Sequence, residues 1–256
     1  KGPLRWGKFK IRDFHNYGPS LSVTDIIVES SNIGTARLAM QIGAERQRAF
    51  LDRLGFLEAT PVELTEAAGA KPLLPKNWSE LSAMTISYGH GLSASPLHLA
   101  TAYASLLNGG IRVQPTLLRQ DGPQNGERIV SEQVSSMARE MLRQVVVRGT
   151  ASFGEVPGYE VGGKTGTADK PRPQGGYYDD KVIATFASVF PASDPQYVLI
   201  VTLDEPSIYT LGEDRRTAGW TAVPVAAEMI RRVAPLLGLR PHVDSGEPVG
   251  VTLTSN

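Results

Sequence analysis

The 256-residue sequence contains no cysteine, no long apolar run and no excess of charge of either sign. Without cysteine the chain has neither a disulfide framework nor a thiolate nucleophile. Its purely apolar runs extend over only a few residues, such as Val198 to Val201, and are too short to cross a bilayer. The 26 basic and 26 acidic side chains cancel, so no net charge favours a nucleic-acid partner or an anionic membrane surface.

Motifs for metals and cofactors are also missing. The histidines show neither HxH nor HExxH spacing, which makes a metal site improbable; they are His15, His90, His98 and His242. The GxG at Gly89 and Gly91 has no third glycine and follows no predicted strand, so dinucleotide binding is disfavoured. Composition does not exclude a Ser/His/Asp triad, but no serine lies in a GxSxG elbow. We expect no metal and no cofactor.

The hydrophobic pattern places helices before strands, which is typical of an α+β fold. Residues 1–148 are expected to be mostly helical, residues 149–240 to form a sheet with a C-terminal helix, and residues 241–256 to be a tail. Helices are predicted at about 22–28, 33–42, 44–54, 96–107 and 131–145, and residues 1–20 are expected to be an irregular arm. Three strands, predicted at 159–168, 182–190 and 197–203, should pair sequentially and antiparallel. The last helix should cover that sheet with one face, formed by Ala222, Val225, Ala226, Met229 and Val233.

The first predicted strand has an unusual composition. It contains three glycines, Lys164 and the hydroxyls of Thr165 and Thr167. Glycine weakens a strand and often marks a place where a ligand or another backbone approaches closely. An extended peptide could pair with this strand while the lysine and hydroxyls bind a negative charge. A glycine-rich hairpin arm with a solvated lysine is the alternative, and the strand alone does not decide between them.

A cluster of small polar residues, Ser30-Ser31-Asn32, separates the first two predicted helices. Such residues are normally helix caps. Together with Lys164-Thr165-Gly166-Thr167, about 130 residues later, they could instead place hydroxyl, amide and ammonium groups around one cleft.

In this order the two segments resemble the SxN and KTGT motifs of penicillin-binding protein transpeptidase domains of class B, the type that crosslinks septal peptidoglycan during cell division. Residues 11–18, 87–91 and 148–151 also resemble sequences of this family, and the similarity extends to about Pro235. The resemblance implies the penicillin-binding protein/β-lactamase-like fold. It also implies stem peptides and β-lactams as ligands, divisome membrane proteins as partners, and a place on the periplasmic side of the bacterial inner membrane. The family's anchoring helix is not in this chain.

The resemblance also implies catalytic roles. In the family a serine nucleophile attacks the D-Ala-D-Ala bond of a stem peptide and passes the acyl group to an amine of a neighbouring strand. Ser30 would relay a proton to the leaving group, and Lys164 would keep the Ser30 hydroxyl polarised. Asn32 would hydrogen-bond the substrate's amide.

The resemblance further implies that Ser31 and the strand with the KTGT motif bind the substrate. Thr165 and Thr167 would receive the terminal carboxylate, and the backbone N–H of Thr167 would form half of an oxyanion hole. Gly166 would let the substrate backbone approach.

One family feature is absent. The nucleophile lies in an SxxK motif upstream of the SxN serine, and no serine of this chain is followed by lysine three positions later. We therefore expect a fragment that lacks the N-terminal strands and the nucleophile helix and forms no acyl-enzyme by itself. Without those strands the last predicted strand would be an open apolar edge, and self-association through it is expected. The alternatives are a non-catalytic penicillin-recognising sensor or scaffolding segment, and a D,D-carboxypeptidase or β-lactamase on the same fold.

Overall fold

Helices dominate the first 148 residues and a β-sheet dominates the rest, as predicted for an α+β fold. The structure is a computed structural model that describes residues 3–122 and 125–242. The helices are α1 (Val23–Val28), α2 (Asn32–Ile42), α3 (Ala44–Arg53), α4 (Glu80–Ser87), α5 (Pro96–Leu107), α6 (Glu132–Arg148) and α7 (Ala222–Leu236). The strands are β1 (Leu4–Trp6), β2 (Phe9–Ile11), β3 (Gly162–Pro171), β4 (Tyr177–Phe190), β5 (Tyr197–Asp204), β6 (Ile208–Thr210) and β7 (Glu213–Arg215).

Serine side chains define where five of the helices begin. Each accepts a hydrogen bond from a backbone N–H three residues later and thereby satisfies one of the free donors of a helix start. The capping residues are Ser22, Ser31, Ser79, Ser95 and Ser131.

The central sheet has the strand order β3-β4-β5 with antiparallel pairing, which confirms the predicted topology. Strand β3 begins at Gly162, three residues later than predicted, because Glu160 adopts a left-handed conformation with φ 44°. Strand β4 begins at Tyr177, five residues early, since pairing continues up to Pro171 opposite Tyr177. Only residues 172–176 therefore lie between the two strands, as a short hairpin tip.

Helix α7 covers the sheet, but with a different face from the one predicted. Its buried residues pack around Phe186 and Val201; they are Ala222, Val223, Ala226, Ala227, Ile230 and Ala234. Val225, Met229 and Val233 are 41%, 41% and 38% exposed, so their assignment to the sheet-facing side was wrong. The small alanines lie against the sheet and let the helix approach closely, while the larger side chains remain outside.

Several short elements escaped the sequence analysis. The arm expected to be irregular contains the β1–β2 hairpin, whose Ile11 is buried against Ala36 and Met84. Helix α4 and the β6–β7 hairpin were also missed. Strands of three residues are too short to show a period of two. Of the predicted tail, residues 243–256 lie outside the described residues. Among the residues that are described, no helix is both long and apolar enough to span a membrane.

Candidate active site

Ser30 lies in the tight turn between α1 and α2. Its backbone is left-handed, with φ 58°, which is uncommon for a residue with a side chain. The N–H groups of Ser30 and Ser31 donate to the carbonyls of Ile27 and Ile26, at 3.3 and 3.0 Å. The backbone of the turn is thus hydrogen-bonded to the end of α1, and the Ser30 hydroxyl is not used as a helix cap.

Ser31 has a structural position. Its side chain is 2% exposed, and its hydroxyl accepts from the Gly34 N–H at 2.9 Å and donates to the Asp13 carboxylate at 2.9 Å. Ser31 is therefore the N-cap of α2, which is the role that small polar residues between two helices normally have. The Ser31 hydroxyl is thus hydrogen-bonded within the protein, and its contact with substrate stays a prediction.

Helix α6 brings the Ser30 turn to the sheet, because it contacts both α1 and β3. At its end, Gly149 lies so close to α1 that a Cβ there would come within 2.6 Å of the Val28 carbonyl oxygen. The Thr150 N–H donates to that carbonyl at 3.4 Å, and Arg148 pairs with Asp25 of α1 at 2.9 Å. Only glycine permits this approach, which sets the distance between α1 and the first residues of β3.

Lys164 and Ser30 meet across this junction, 134 residues apart in sequence. The Lys164 Nζ donates to the Ser30 Oγ at 2.8 Å and to the Thr165 carbonyl at 3.0 Å. Neither partner is a carboxylate, and burial lowers the pKa of Lys164 from 10.5 to about 8. A buried ammonium beside a hydroxyl can hold that hydroxyl oriented and can exchange a proton near neutral pH.

The remaining KTGT residues lie along β3 beside Lys164. The hydroxyls of Thr165 and Thr150 are 2.7 Å apart, and the Thr167 hydroxyl accepts from the Ala218 N–H at 3.0 Å. Gly166 is open: a Cβ there would meet nothing closer than the Thr185 carbonyl oxygen at 4.0 Å. The strand therefore offers an uncovered stretch flanked by two hydroxyls.

Asn32 is the first residue of α2 and is half-buried. Its side-chain N–H₂ donates to the Arg12 carbonyl at 3.1 Å. Within the described residues, Asn32 makes no hydrogen bond to Lys164. The structure thus joins Ser30 directly to Lys164, whereas Asn32 is held by the arm before α1.

Two residues with roles at the site were missed by the sequence analysis. Asp13 binds Ser31 and the Ile33 N–H, and Thr150 binds Thr165. Both residues lie in segments that resemble sequences of the family, Asp13 in 11–18 and Thr150 in 148–151. That similarity was the only available signal, because neither residue belongs to a motif whose spacing specifies a contact.

A polar cavity of about 620 Å³ lies elsewhere, between α6 and the loops before β3 and β5. It is lined by Ser136, Arg139, Glu140, Arg143, Glu155, Gly158, Glu160, Ala192, Ser193 and His242. None of the predicted site residues lines it. The Ser30–Lys164 pair instead lies at an open junction between the helical part and the sheet.

Comparison with known proteins gives concordant matches. The model of the penicillin binding protein transpeptidase domain matches residues 1–230. The probable peptidoglycan D,D-transpeptidase FtsI of Caulobacter vibrioides is 36% identical over 249 residues, which cover 93% of this chain and 42% of that protein. The peptidoglycan D,D-transpeptidase FtsI of Escherichia coli is 33% identical over 206 residues, which cover 80% of this chain and 34% of the relative. The chain therefore spans less than half the length of these relatives.

Solved structures agree with the fold. The transpeptidase domain of Burkholderia pseudomallei penicillin-binding protein 3 superposes with a TM-score of 0.84 at 32% identity, covering 94% of this chain and 72% of the other. Penicillin-binding protein 3 of Mycobacterium tuberculosis, solved in complex with aztreonam, gives a TM-score of 0.80 at 30% identity, covering 94% and 57%. The α+β arrangement described above is thus the arrangement of these domains.

Proposed function

The chain belongs to the penicillin-binding protein transpeptidase family, in its class B, FtsI-type branch, and from that membership we propose that its site serves peptidoglycan D,D-transpeptidation. The proposed substrates are stem peptides ending in D-Ala-D-Ala, with β-lactams as their mimics. The reaction joins an acyl group of one peptide to an amine of another during cell division.

The observation that carries this proposal is the 2.8 Å hydrogen bond from Lys164 Nζ to Ser30 Oγ. It joins two residues that are 134 positions apart, and neither of these two side chains caps a helix. We assign proton relay to the leaving amine to Ser30, and we assign polarisation of that hydroxyl to Lys164. Asn32, half-buried at the start of α2, is assigned to the substrate's amide.

The proposed peptide site follows β3. A peptide backbone can approach at Gly166, where no side chain intervenes. Thr165 and Thr167 are assigned to the terminal carboxylate of the substrate, with Thr150 as a second hydroxyl beside Thr165. The N–H of Thr167 is assigned to an oxyanion hole, where a fixed donor stabilises the charge that develops on the attacked carbonyl oxygen.

The attacking serine is not among these residues. No SxxK occurs in the sequence, so we propose that the chain contributes relay and binding groups but forms no acyl-enzyme alone. Incubation with benzylpenicillin at neutral pH is expected to leave the intact mass unchanged. A family transpeptidase domain that contains SxxK serves as the positive control, and a denatured sample as the negative one. A covalent adduct would contradict the proposal, and peptide mapping would then name the nucleophile.

A binding-only role is the second candidate, since a penicillin-recognising sensor would retain the KTGT strand and need no SxxK. NMR titration with a stem-peptide analogue separates the two roles. Reversible shifts confined to β3 and the Ser30 turn, without any mass adduct, would fit both. Repeating the experiment on a fusion that supplies the SxxK segment distinguishes the two roles, because only the enzymatic role predicts that the fusion turns over the peptide.

The substrate also implies a setting. Peptidoglycan is built outside the cytoplasmic membrane, and we propose that the site works there, on the periplasmic side, with divisome membrane proteins as partners of the whole protein. The support is family membership and not a feature of the described residues.

We also propose that β5 mediates self-association. In the part of the chain that the structure describes, β5 pairs with β4 on one side and with no strand on the other, and Val198, Leu199 and Ile200 are only half-buried. An apolar strand that has a pairing partner on one side only is a template for pairing with a second chain.

Sedimentation at tens of micromolar is expected to show a dimer, and Ile200→Lys is expected to weaken dimerisation on the order of tenfold by placing a charge on the edge. Val147→Lys adds the same charge to an exposed position of α6 and should leave the dimer intact. A clean monomer of the unaltered chain would contradict this proposal.

A further inference from the structure

The left-handed backbone of Ser30 needs an explanation, because a residue with a Cβ is strained in that conformation. Such conformations persist only where the surroundings hold them. Two local hydrogen bonds, from Ser30 and Ser31 to α1 carbonyls, close the turn. They do not determine where α2 begins, and the direction of α2 decides where the Ser30 side chain points.

The start of α2 is held by a single carboxylate from outside the helix. Asp13 Oδ2 accepts from the Ser31 hydroxyl at 2.9 Å, and Asp13 Oδ1 accepts from the Ile33 N–H at 2.9 Å. Ser31 in turn accepts from the Gly34 N–H. Two of the free N–H groups of α2 are therefore satisfied by Asp13 or through it, and its negative charge lies at the positive end of the helix.

The residues around Asp13 contact the turn as well. The Arg12 carbonyl accepts from the Asn32 side chain at 3.1 Å, so residues 12 and 13 together contact each of the three residues that follow Ser30. On the other side of Ser30, the Tyr17 hydroxyl donates to the Glu29 carbonyl at 3.0 Å. Burial, with smaller contributions from Glu29 and Asp13, raises the pKa of Tyr17 and keeps this donor protonated.

The arm that carries Asp13 is itself anchored to α2. Ile11, two residues earlier, is 6% exposed and packs with Ala36 of α2 and Met84 of α4. Movement of the arm relative to α2 would therefore expose apolar surface and break the hydrogen bonds of Asp13 together. The carboxylate is thus placed by packing and not by a flexible loop.

We propose that Asp13 is a positioning residue: by bridging Ser31 and the Ile33 N–H, it holds the turn in the conformation that directs the Ser30 hydroxyl at Lys164. The inference rests on the proposed function, in which Ser30 relays a proton. Asp13 touches neither substrate nor the reacting atoms. It acts through the geometry of the three residues that follow Ser30.

The test compares Asp13→Asn with Glu63→Gln in the full chain. Glu63 is a matched control because its carboxylate also accepts from a hydroxyl, Thr116 at 2.6 Å, and from a backbone N–H, Leu117 at 2.9 Å, yet it contacts none of residues 30–33. The primary readout is the nuclear Overhauser cross-peak between Ser30 Hβ and Lys164 Hε. The second is the pKa of Lys164, followed on ¹³C-labelled lysine.

In Asp13→Asn we expect the cross-peak to disappear, the Lys164 pKa to rise from about 8 toward 10.5 as the ammonium gains solvent, and exchange of the Ile33 amide to accelerate at least tenfold. Glu63→Gln should leave all three unchanged. Faster Ile33 exchange with an intact cross-peak and an unshifted Lys164 would overturn the proposal, because Asp13 would then only cap the helix.

If Asp13→Asn does not fold, Asp13→Glu replaces it, since this variant keeps the charge and moves the carboxylate by one methylene. A weakened cross-peak supports the proposal, and an unchanged one contradicts it. These measurements use neither a β-lactam nor a stem peptide. Their failure is therefore distinguishable from failure of the proposed function, which is tested by ligand binding and acylation.

Discussion

Replacing Lys164 by methionine is expected to slow acylation by benzylpenicillin about 100-fold or more in a fusion that places the SxxK segment of a family member ahead of this chain. Groups that position or transfer protons typically contribute 10²–10⁴-fold. Methionine retains the unbranched shape but cannot donate to Ser30, so the hydroxyl loses its 2.8 Å partner. The measurement is the rate of adduct formation by intact mass.

Lys170→Met is the matched control, because Lys170 lies on the same strand but pairs with Asp204 and Glu205, at 2.7 and 2.8 Å. It should leave the acylation rate within a few fold. Equal rates for the fusion and for its Lys164→Met variant would contradict the assignment of Lys164.

The low pKa of Lys164 gives this prediction a pH dependence. The ammonium is the form that donates to Ser30, so the Lys164-dependent part of the rate should decline as the pH rises through about 8. Stability should change in the opposite sense. Between about pH 8 and 10.5 the unfolded chain binds the Lys164 proton and the folded chain does not, so the free energy of unfolding should rise with pH relative to Lys164→Met. Urea titrations at pH 7 and 10 check the sign.

Gly163→Ala is expected to destabilise the fold by about 3 kcal/mol, the upper range for forcing a group into a filled core. A Cβ at Gly163 would come within 2.5 Å of the Ala187 carbonyl oxygen and 2.7 Å of two ring carbons of Phe186. Phe186 is fully buried beneath α7, so it has no free space into which to move. The free energy of unfolding in urea measures the effect.

Gly166→Ala is the matched control on the same strand. Its Cβ would meet only the Thr185 carbonyl oxygen, at 4.0 Å, so the fold should keep its stability within about 1 kcal/mol. In the fusion, the same methyl group is expected to slow acylation, because it projects where the peptide backbone is proposed to approach. Equal stability losses for Gly163→Ala and Gly166→Ala would contradict the distinction between a packing glycine and a site glycine.

The contrast between these glycines shows where sequence reasoning stops. Both lie in the strand whose composition first suggested a ligand. The resemblance to the KTGT motif singles out Gly166, but nothing in the sequence shows that Gly163 is a packing glycine. The strand register distinguishes the two glycines. Gly163 lies opposite Ser188 and beside the Phe186 ring, whereas Gly166 lies opposite Thr185 in the open stretch of β3. Neighbours of this kind come from strand pairing, which places distant residues next to each other.

Helix α7 makes the same point for packing. Its position over the sheet was predicted correctly, but its phase was wrong at Val225, Met229 and Val233. Alanine and valine are both apolar, so the pattern permits two overlapping stripes, and only the space above Phe186 selects the alanine-rich one.

The sequence by itself determined the order of helices and strands, the antiparallel pairing and the two motifs, since these follow from local spacing, turn residues and hydrophobic period. Only the tertiary structure decided that Ser30 meets Lys164, that Ser31 is a buried cap, and that Asp13 and Thr150 contact the two motifs. The reason is physical: these contacts join residues 15 to 134 positions apart, and their geometry depends on how α1, α2, α6 and β3 pack against one another.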